Sequence, residues 1–323
     1  MLNKFFGIAL LGSAMLMAGS ADAGSLKLAH STWVGYGPFY IARDKGFFKD
    51  EGVDVELVIM EDTPIKMGAL MAGQIDLVAS TVDEFPIYMK PGKMVHYVLA
   101  VDNSKGGDGV VANKDITSIK DLKGKKVAFE QGSVSQFFLN ALLKDNGMTE
   151  ADIEPVNMAA TDAGVAFAAK QVDAAVTWEP ALSQGAKSEH GHMLLTSADK
   201  PGLITDVVAT TAETAVAKKD DIAAFVRAWY KAVDYSKNNP DDANAIMAKG
   251  VGGWLEDPKV FAETLSGIEY LDKAKNIEFF GTAAAPGQIE KTLGAALDIW
   301  KSFGRIQVEV KPADMIDYSF ING

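Results

Sequence analysis

One phrase occurs twice in this chain, and it limits the fold more than any other feature. Residues 171–180 read QVDAAVTWEP; residues 74–81 read QIDLVAST and are followed at 83–86 by DEFP. Each copy joins the end of a helix to a short apolar stretch of strand length. Acidic and aromatic residues then follow at the end of that stretch. Two strands that end alike imply two similar α/β halves, and two such halves enclose a cleft.

The flanking residues extend the likeness. In the first half, β-branched and alternating apolar residues predict strands at 26–29, 53–60, 75–79 and 95–101. Helices are expected between them at 39–45 and 65–72, ended by Gly46 and Gly73, with another starting at Phe85 and Pro86. The second half repeats the order, with strands at 127–129, 153–158 and 172–176 and helices at 136–144 and 165–170. Such alternation predicts two mainly parallel sheets flanked by helices, whose ligands bind at the C-terminal ends of the strands.

Two short strands, 110–112 and 207–210, are expected to carry the chain between halves. Lobe 1 would then comprise residues 24–109 and 207–323, with lobe 2, residues 110–206, inserted into it. The last third reads as helical. Residues 221–236 place Ile222, Phe225, Val226, Trp229 and Val233 on one face, and a late β-like piece is expected at 305–310.

The N-terminus reads as a signal peptide. Lys4 precedes a short apolar run, and Ala21-Asp22-Ala23 is a small-x-small site, so cleavage is expected after Ala23. The run is too short to span a bilayer, which needs ~20 residues. Export, a soluble state and a bacterial periplasm follow as expectations. The chain has no Cys, which excludes disulfides, thiolate metal sites and Cys nucleophiles. About 300 residues bury enough surface to fold without such staples. A net charge of −12 argues against nucleic acid or an anionic membrane as partner.

The carboxylates are placed unevenly. Glu61, Asp62, Asp83, Glu84, Asp102, Glu130 and Glu179 fall at strand ends, and Asp108 and Asp206 lie near the crossings, with no Lys or Arg at any of these positions. Trp33, Tyr36, Phe85, Phe137 and Trp178 accompany them. Converging carboxylates repel one another and call for a cation, and aromatic faces add cation–π attraction. The pattern predicts a small solute that is cationic or rich in N–H donors. Two other readings stay open. Acids before helices also serve as caps, and Asp102 reads best as a solvated rim residue. Conversely, Ser31, Thr63, Ser133 and Ser135 lie at helix starts, where backbone N–H groups attract oxyanions.

Enzyme signatures are missing. Residues 132–135, GSVS, are not a nucleophile elbow, and residues 106–109, GGDG, lack the spacing of a dinucleotide loop. His190 and His192 lie in a Ser/Gly/Glu-rich stretch without a third metal ligand, and His30 at a strand end reads as a buried histidine. No catalytic role and no cofactor are expected. Paired carboxylates acting as a hydrolase acid and base are the weakest alternative.

The run WVGYGPFYIARDKGFF at 33–48, followed by EGVDV at 51–55, resembles the N-terminal signature of periplasmic solute-binding proteins of nitrate, sulfonate and taurine (NitT/TauT-type) ABC importers. GQID at 73–76, LKGKKV at 122–127, GSVS at 132–135 and WEPA at 178–181 extend the resemblance over roughly residues 26–250. It implies a two-lobed type II binding-protein fold, capture by lobe closure, and delivery to a membrane permease with its ATPase. A monomer is also implied. The loops at 31–36, 61–63, 81–84, 132–135 and 178–179 would line the cleft. An enzyme branch with the same fold makes thiamine pyrimidine with a Cys-rich motif, which this Cys-free chain lacks.

Taken together, the ligand-binding candidates are Ser31, Trp33, Tyr36, Glu61, Asp62 and Asp83 from the first half and Glu84 beside them. Glu130, Ser133, Trp178 and Glu179 come from the second, with Asp206 at the return crossing. The excess of acid departs from the family's anion binders. It favours a guanidine- or amine-like solute, in the style of the family's urea- or guanidine-associated members, over a sulfonate, taurine or nitrate.

Overall fold

Short β-branched runs pair into two sheets in the computed structural model, which describes residues 24–321. The expected signal peptide, residues 1–23, lies outside the described residues. Strands β1 (Gly24–His30), β2 (Val53–Ile59), β3 (Leu77–Thr81) and β4 (Val95–Ser104) open the first sheet. The second contains β5 (Asp108–Asn113), β6 (Lys126–Phe129), β7 (Glu154–Asn157), β8 (Ala174–Trp178) and β9 (Gly191–Thr196). The chain then returns to the first with β10 (Thr205–Thr211) and β11 (Ile268–Tyr270).

The spatial orders are β2-β1-β3-β10-β4-β11 and β7-β6-β8-β5-β9. In the first sheet β1 pairs in parallel with β2 and β3, and β10 runs antiparallel between β3 and β4. In the second, β6 pairs in parallel with β7 and β8, and β5 runs antiparallel between β8 and β9. The repeated phrase of the sequence occupies equivalent strands, β3 and β8. In each sheet the antiparallel inner strand is the one by which the chain arrives from the other.

Alternation along β1 sends Leu26 and Leu28 into one core and Ala29 into another. Helices Gly37–Asp44 and Lys219–Asn238 cover the first face, where Phe39 lies 4.8 Å from the Trp229 ring. The expected stripe of the long helix, from Ile222 to Val233, is buried. Each large side chain so buried contributes about 1.5–3 kcal/mol of hydrophobic stabilisation. Helices Thr63–Met71 and Gln288–Ser302 lie on the opposite face through Met67, Leu70, Ile289 and Leu293.

Several expectations are corrected. Asp108 and Gly109 stand in the second sheet because Asp108 already pairs with Trp178, and Asp206 stands in the first, paired with Thr81 and Asp102. Residues 305–310 form no strand. Ile306, Val308 and Val310 alternate because one side of the segment packs on the core, without a pairing partner. His192 lies in β9 rather than in a loop. Its Nε2 donates to the Ile116 carbonyl at 2.8 Å, and His190 Nε2 donates to that of Phe167 at 2.9 Å. Both imidazoles thus serve the backbone.

Candidate functional site

Where the C-terminal ends of the two sheets meet there is a cavity of about 30 Å3. The first sheet's side supplies Ser31, Trp33 and Tyr36 from the loop after β1, Thr63 and Lys66 from helix Thr63–Met71, and Ser80, Thr81, Glu84 and Asp206. The second sheet's side supplies Asp108, Val134 and Trp178. Strand register explains the convergence. Thr81, Asp206 and Asp102 form one row across β3, β10 and β4, and Asp108 faces Trp178 across β5 and β8.

Each buried acid has its own setting. Tyr36 donates its hydroxyl to Asp206 Oδ1. Trp33 Nε1 donates to Asp102 Oδ2 at 3.2 Å. Backbone at Gly35 passes so close that a Cβ there would lie 1.8 Å from Asp102 Oδ2, so the position requires glycine. Ser80 donates to Glu84 Oε2, while Glu84 Oε1 accepts from Val134 N at 2.8 Å. Glu130 Oε1 accepts from Thr63 N at 3.0 Å. Asp83 is buried with neither carboxyl oxygen in a hydrogen bond of good geometry.

Removal from water pushes these acids up. Asp206 is raised to about 8, chiefly by burial and partly offset by the Tyr36 hydrogen bond. Burial brings Asp108 and Glu130 to about 7. Asp83 and Asp102 are pushed well above the usual carboxylate range by burial, with Glu84 adding to the effect on Asp83 and Asp206 to that on Asp102. Burial also raises Glu84, against the attraction of Lys66 and two hydrogen bonds.

The remaining candidates sit outside the cavity. Glu61 is exposed and accepts from Thr32 N at 3.1 Å and Thr32 Oγ1 at 2.5 Å. Asp62 caps helix Thr63–Met71 through Ile65 N at 2.8 Å. Glu179 caps the helix that follows it through Ser183 N at 3.1 Å. Ser133 is buried as the N-cap of helix Val134–Asp145, accepting from Ser135 N. Asp102 is no rim residue: β10 and β11 flank β4, and it is fully buried. His30 is buried too and its pKa is lowered to about 4 by that burial. Neutral, it donates from Nδ1 to the Ser31 carbonyl and accepts at Nε2 from Tyr40.

Sequence reasoning missed Lys66, a lysine 1 % exposed that lines the cavity. A signal existed: Thr63, Lys66, Met67 and Leu70 share the buried face of their helix at i, i+3, i+4, i+7 spacing. Thr81, the first residue of the loop expected at 81–84, lines the cavity as well. Trp178 lines it too, and its buried Nε1 makes no hydrogen bond of good geometry. Among the described residues no group of three or more His, Asp or Glu side chains is arranged to hold a metal ion.

Comparison with known proteins places this architecture. The family profile described as NMT1/THI5 like matches residues 33–243. The chain belongs to the NMT1/THI5-like family. Among its relatives, a protein of Brucella abortus (strain 2308) that carries a binding-protein name without a stated ligand is 25% identical over 285 residues, 86% of either chain. The periplasmic aliphatic sulphonate binding protein SsuA from Escherichia coli matches in structure with a TM-score of 0.72 at 20% identity, over 93% of this chain and 99% of that one. The periplasmic nitrate-binding protein NrtA from Synechocystis PCC 6803 does so with a TM-score of 0.70 at 14% identity, over 91% and 86%. These likenesses establish the two-lobed binding-protein fold for this NMT1/THI5-like chain. These three relatives all carry binding-protein names.

Proposed function

We propose that this protein is the periplasmic solute-binding component of an ABC importer and that its cleft captures a small nitrogenous cation, guanidine- or amine-like, by lobe closure. The fold and the names of its relatives support the transport role. An inner-membrane permease and ATPase are then its partners, and a monomer in the periplasm is the working form. The observation that carries the ligand class is the cavity wall. Glu84, Asp108 and Asp206 line it with the aromatic side chains of Trp33, Tyr36 and Trp178, against Lys66 alone. Ionised carboxylates in such a setting gain from a cation that hydrogen-bonds to them, and aromatic rings add to that gain. A cavity of about 30 Å3 holds roughly two waters, so the solute has few heavy atoms and enters by parting of the lobes.

A second reading, capture of a sulfonate, taurine or nitrate-type oxyanion, draws on the buried Lys66 and on the solutes named for SsuA and NrtA. Calorimetric titration with guanidinium, methylammonium, taurine, methanesulfonate and nitrate separates the two. Binding of guanidinium or methylammonium is expected. Tight binding of nitrate or methanesulfonate with no response to either cation would overturn the cationic reading.

A further inference from the structure

Two carboxylates cross between the lobes in opposite directions. Glu84 follows β3 of the first sheet, and its Oε1 accepts from Val134 N at the start of helix Val134–Asp145, which follows β6 of the second. Glu130 follows β6, and its Oε1 accepts from Thr63 N at the start of helix Thr63–Met71, which packs on the first sheet. Helix starts carry unpaired N–H groups and the positive end of the dipole, so they are seats for anions. Here each seat is filled by a carboxylate of the opposite lobe. Both helices exceed two turns, and both open onto the cavity at Thr63 and Val134. The same cavity is lined by Lys66, 1 % exposed, and by the hydroxyl-bearing Ser80 and Thr81, so this is a space built to meet a polar solute.

We propose that Glu84 and Glu130 are specificity-determining residues, a reciprocal pair of internal counter-anions that occupy the two interlobe helix seats and so exclude oxyanionic solutes. The proposal rests on the cavity being the solute site. An incoming oxyanion would have to displace a tethered carboxylate that already holds the N–H group, and would meet a second carboxylate across the cleft. A cation meets no such competition. The two bonds also join the lobes, together with the one that Tyr88 donates to the Gly132 carbonyl at 2.8 Å, so the pair helps to hold the closed form.

The test is calorimetry at pH 8.5, above the range in which Glu130 titrates, with nitrate, methanesulfonate and guanidinium on the wild type, Glu84→Ala, Glu130→Ala and Glu84→Gln. Each alanine variant vacates one seat beside Lys66 and should gain at least about tenfold in affinity for nitrate or methanesulfonate, the scale of a charge-assisted hydrogen bond. Glu84→Gln keeps an oxygen on Val134 N and should not gain. A role confined to stability would not separate Ala from Gln in this way. Circular dichroism checks that each variant is folded, and Glu130→Ala carries the same expectation at the other helix should Glu84→Ala fail to fold. If the wild type binds guanidinium and neither folded alanine variant gains an anion, or if Glu84→Gln gains equally, this inference falls and the cationic reading stands. If the wild type prefers nitrate or methanesulfonate to guanidinium, both fall.

Discussion

At the scale of single residues, the buried charged side chains among those described are six acids, Asp83, Glu84, Asp102, Asp108, Glu130 and Asp206, and one lysine, Lys66. The acids are raised by burial, to about 7 for Asp108 and Glu130 and about 8 for Asp206, whereas carboxyl groups of an unfolded chain ionise near 4. Over that range the native protein holds more protons than the unfolded one, so stability declines as pH rises from about 4 through 8. The unliganded protein should therefore melt at a lower temperature at pH 8.5 than at pH 5, by the equivalent of roughly 2 kcal/mol or more. Cation affinity should move the other way, rising about tenfold from pH 6 to pH 8, because a cation binds the ionised carboxylates. A fall over that range in titrations with guanidinium would contradict the cationic reading. Trp178 offers a second measurement. It belongs to the core, so Trp178→Ala should cost about 3 kcal/mol or more of stability. Trp178→Phe keeps most of the packing but weakens the ring's attraction for a cation. Guanidinium affinity should drop by ~0.5–1 kcal/mol with little change in melting temperature.

At the scale of elements, the helix starts divide the acids by role. Asp62 and Glu179 cap their own helices, whereas Glu84 and Glu130 cap helices of the opposite lobe. Asp62→Ala should therefore cost about 1 kcal/mol in thermal melts and leave solute affinity unchanged. Helix Thr63–Met71 delivers Lys66, and Lys66→Met should destabilise the protein by ~1–3 kcal/mol at pH 8, where it leaves ionised carboxylates without a counter-charge. At pH 5, with those carboxyls protonated, the loss should shrink or reverse. Much of this layer was legible in the sequence. The copies at 74–81 and 171–178 are β3 and β8, and the stripe from Ile222 to Val233 is the buried face of its helix. The rest was hidden for physical reasons. Caps and cavity acids look alike in one dimension, because both precede helices and only side-chain direction separates Glu179 from Glu84. The depth of Asp102 depends on β10 and β11, strands distant in the chain that cover β4. Lys66 could be read from helical periodicity only by giving the pattern more weight than the charge.

At the scale of the whole molecule, two stretches among the described residues join the sheets, 105–107 and 197–204. They are tied together, since Gly106 N donates to Ser197 Oγ at 2.7 Å and Ser104 N donates to the Ile204 carbonyl at 3.1 Å. On the proposed reading of capture by lobe closure, two adjacent connections would serve as the hinge, and solution scattering should show a smaller radius of gyration on addition of guanidinium. The interleaving of the strands has a further consequence, for the order in which the parts can mature. All five strands of the second sheet lie within one uninterrupted stretch, residues 108–196. The first sheet has a gap between β3 and β4 that only β10, residues 205–211, can fill. A chain growing from its N-terminus therefore makes the strands of its first lobe early and must leave them incomplete until the second lobe has been made. Nascent chains truncated at residue 200 should yield a protease-resistant second lobe and a digestible first one, and the first should become resistant only in longer chains. For such a protein, the half that is synthesised first is the half that matures last.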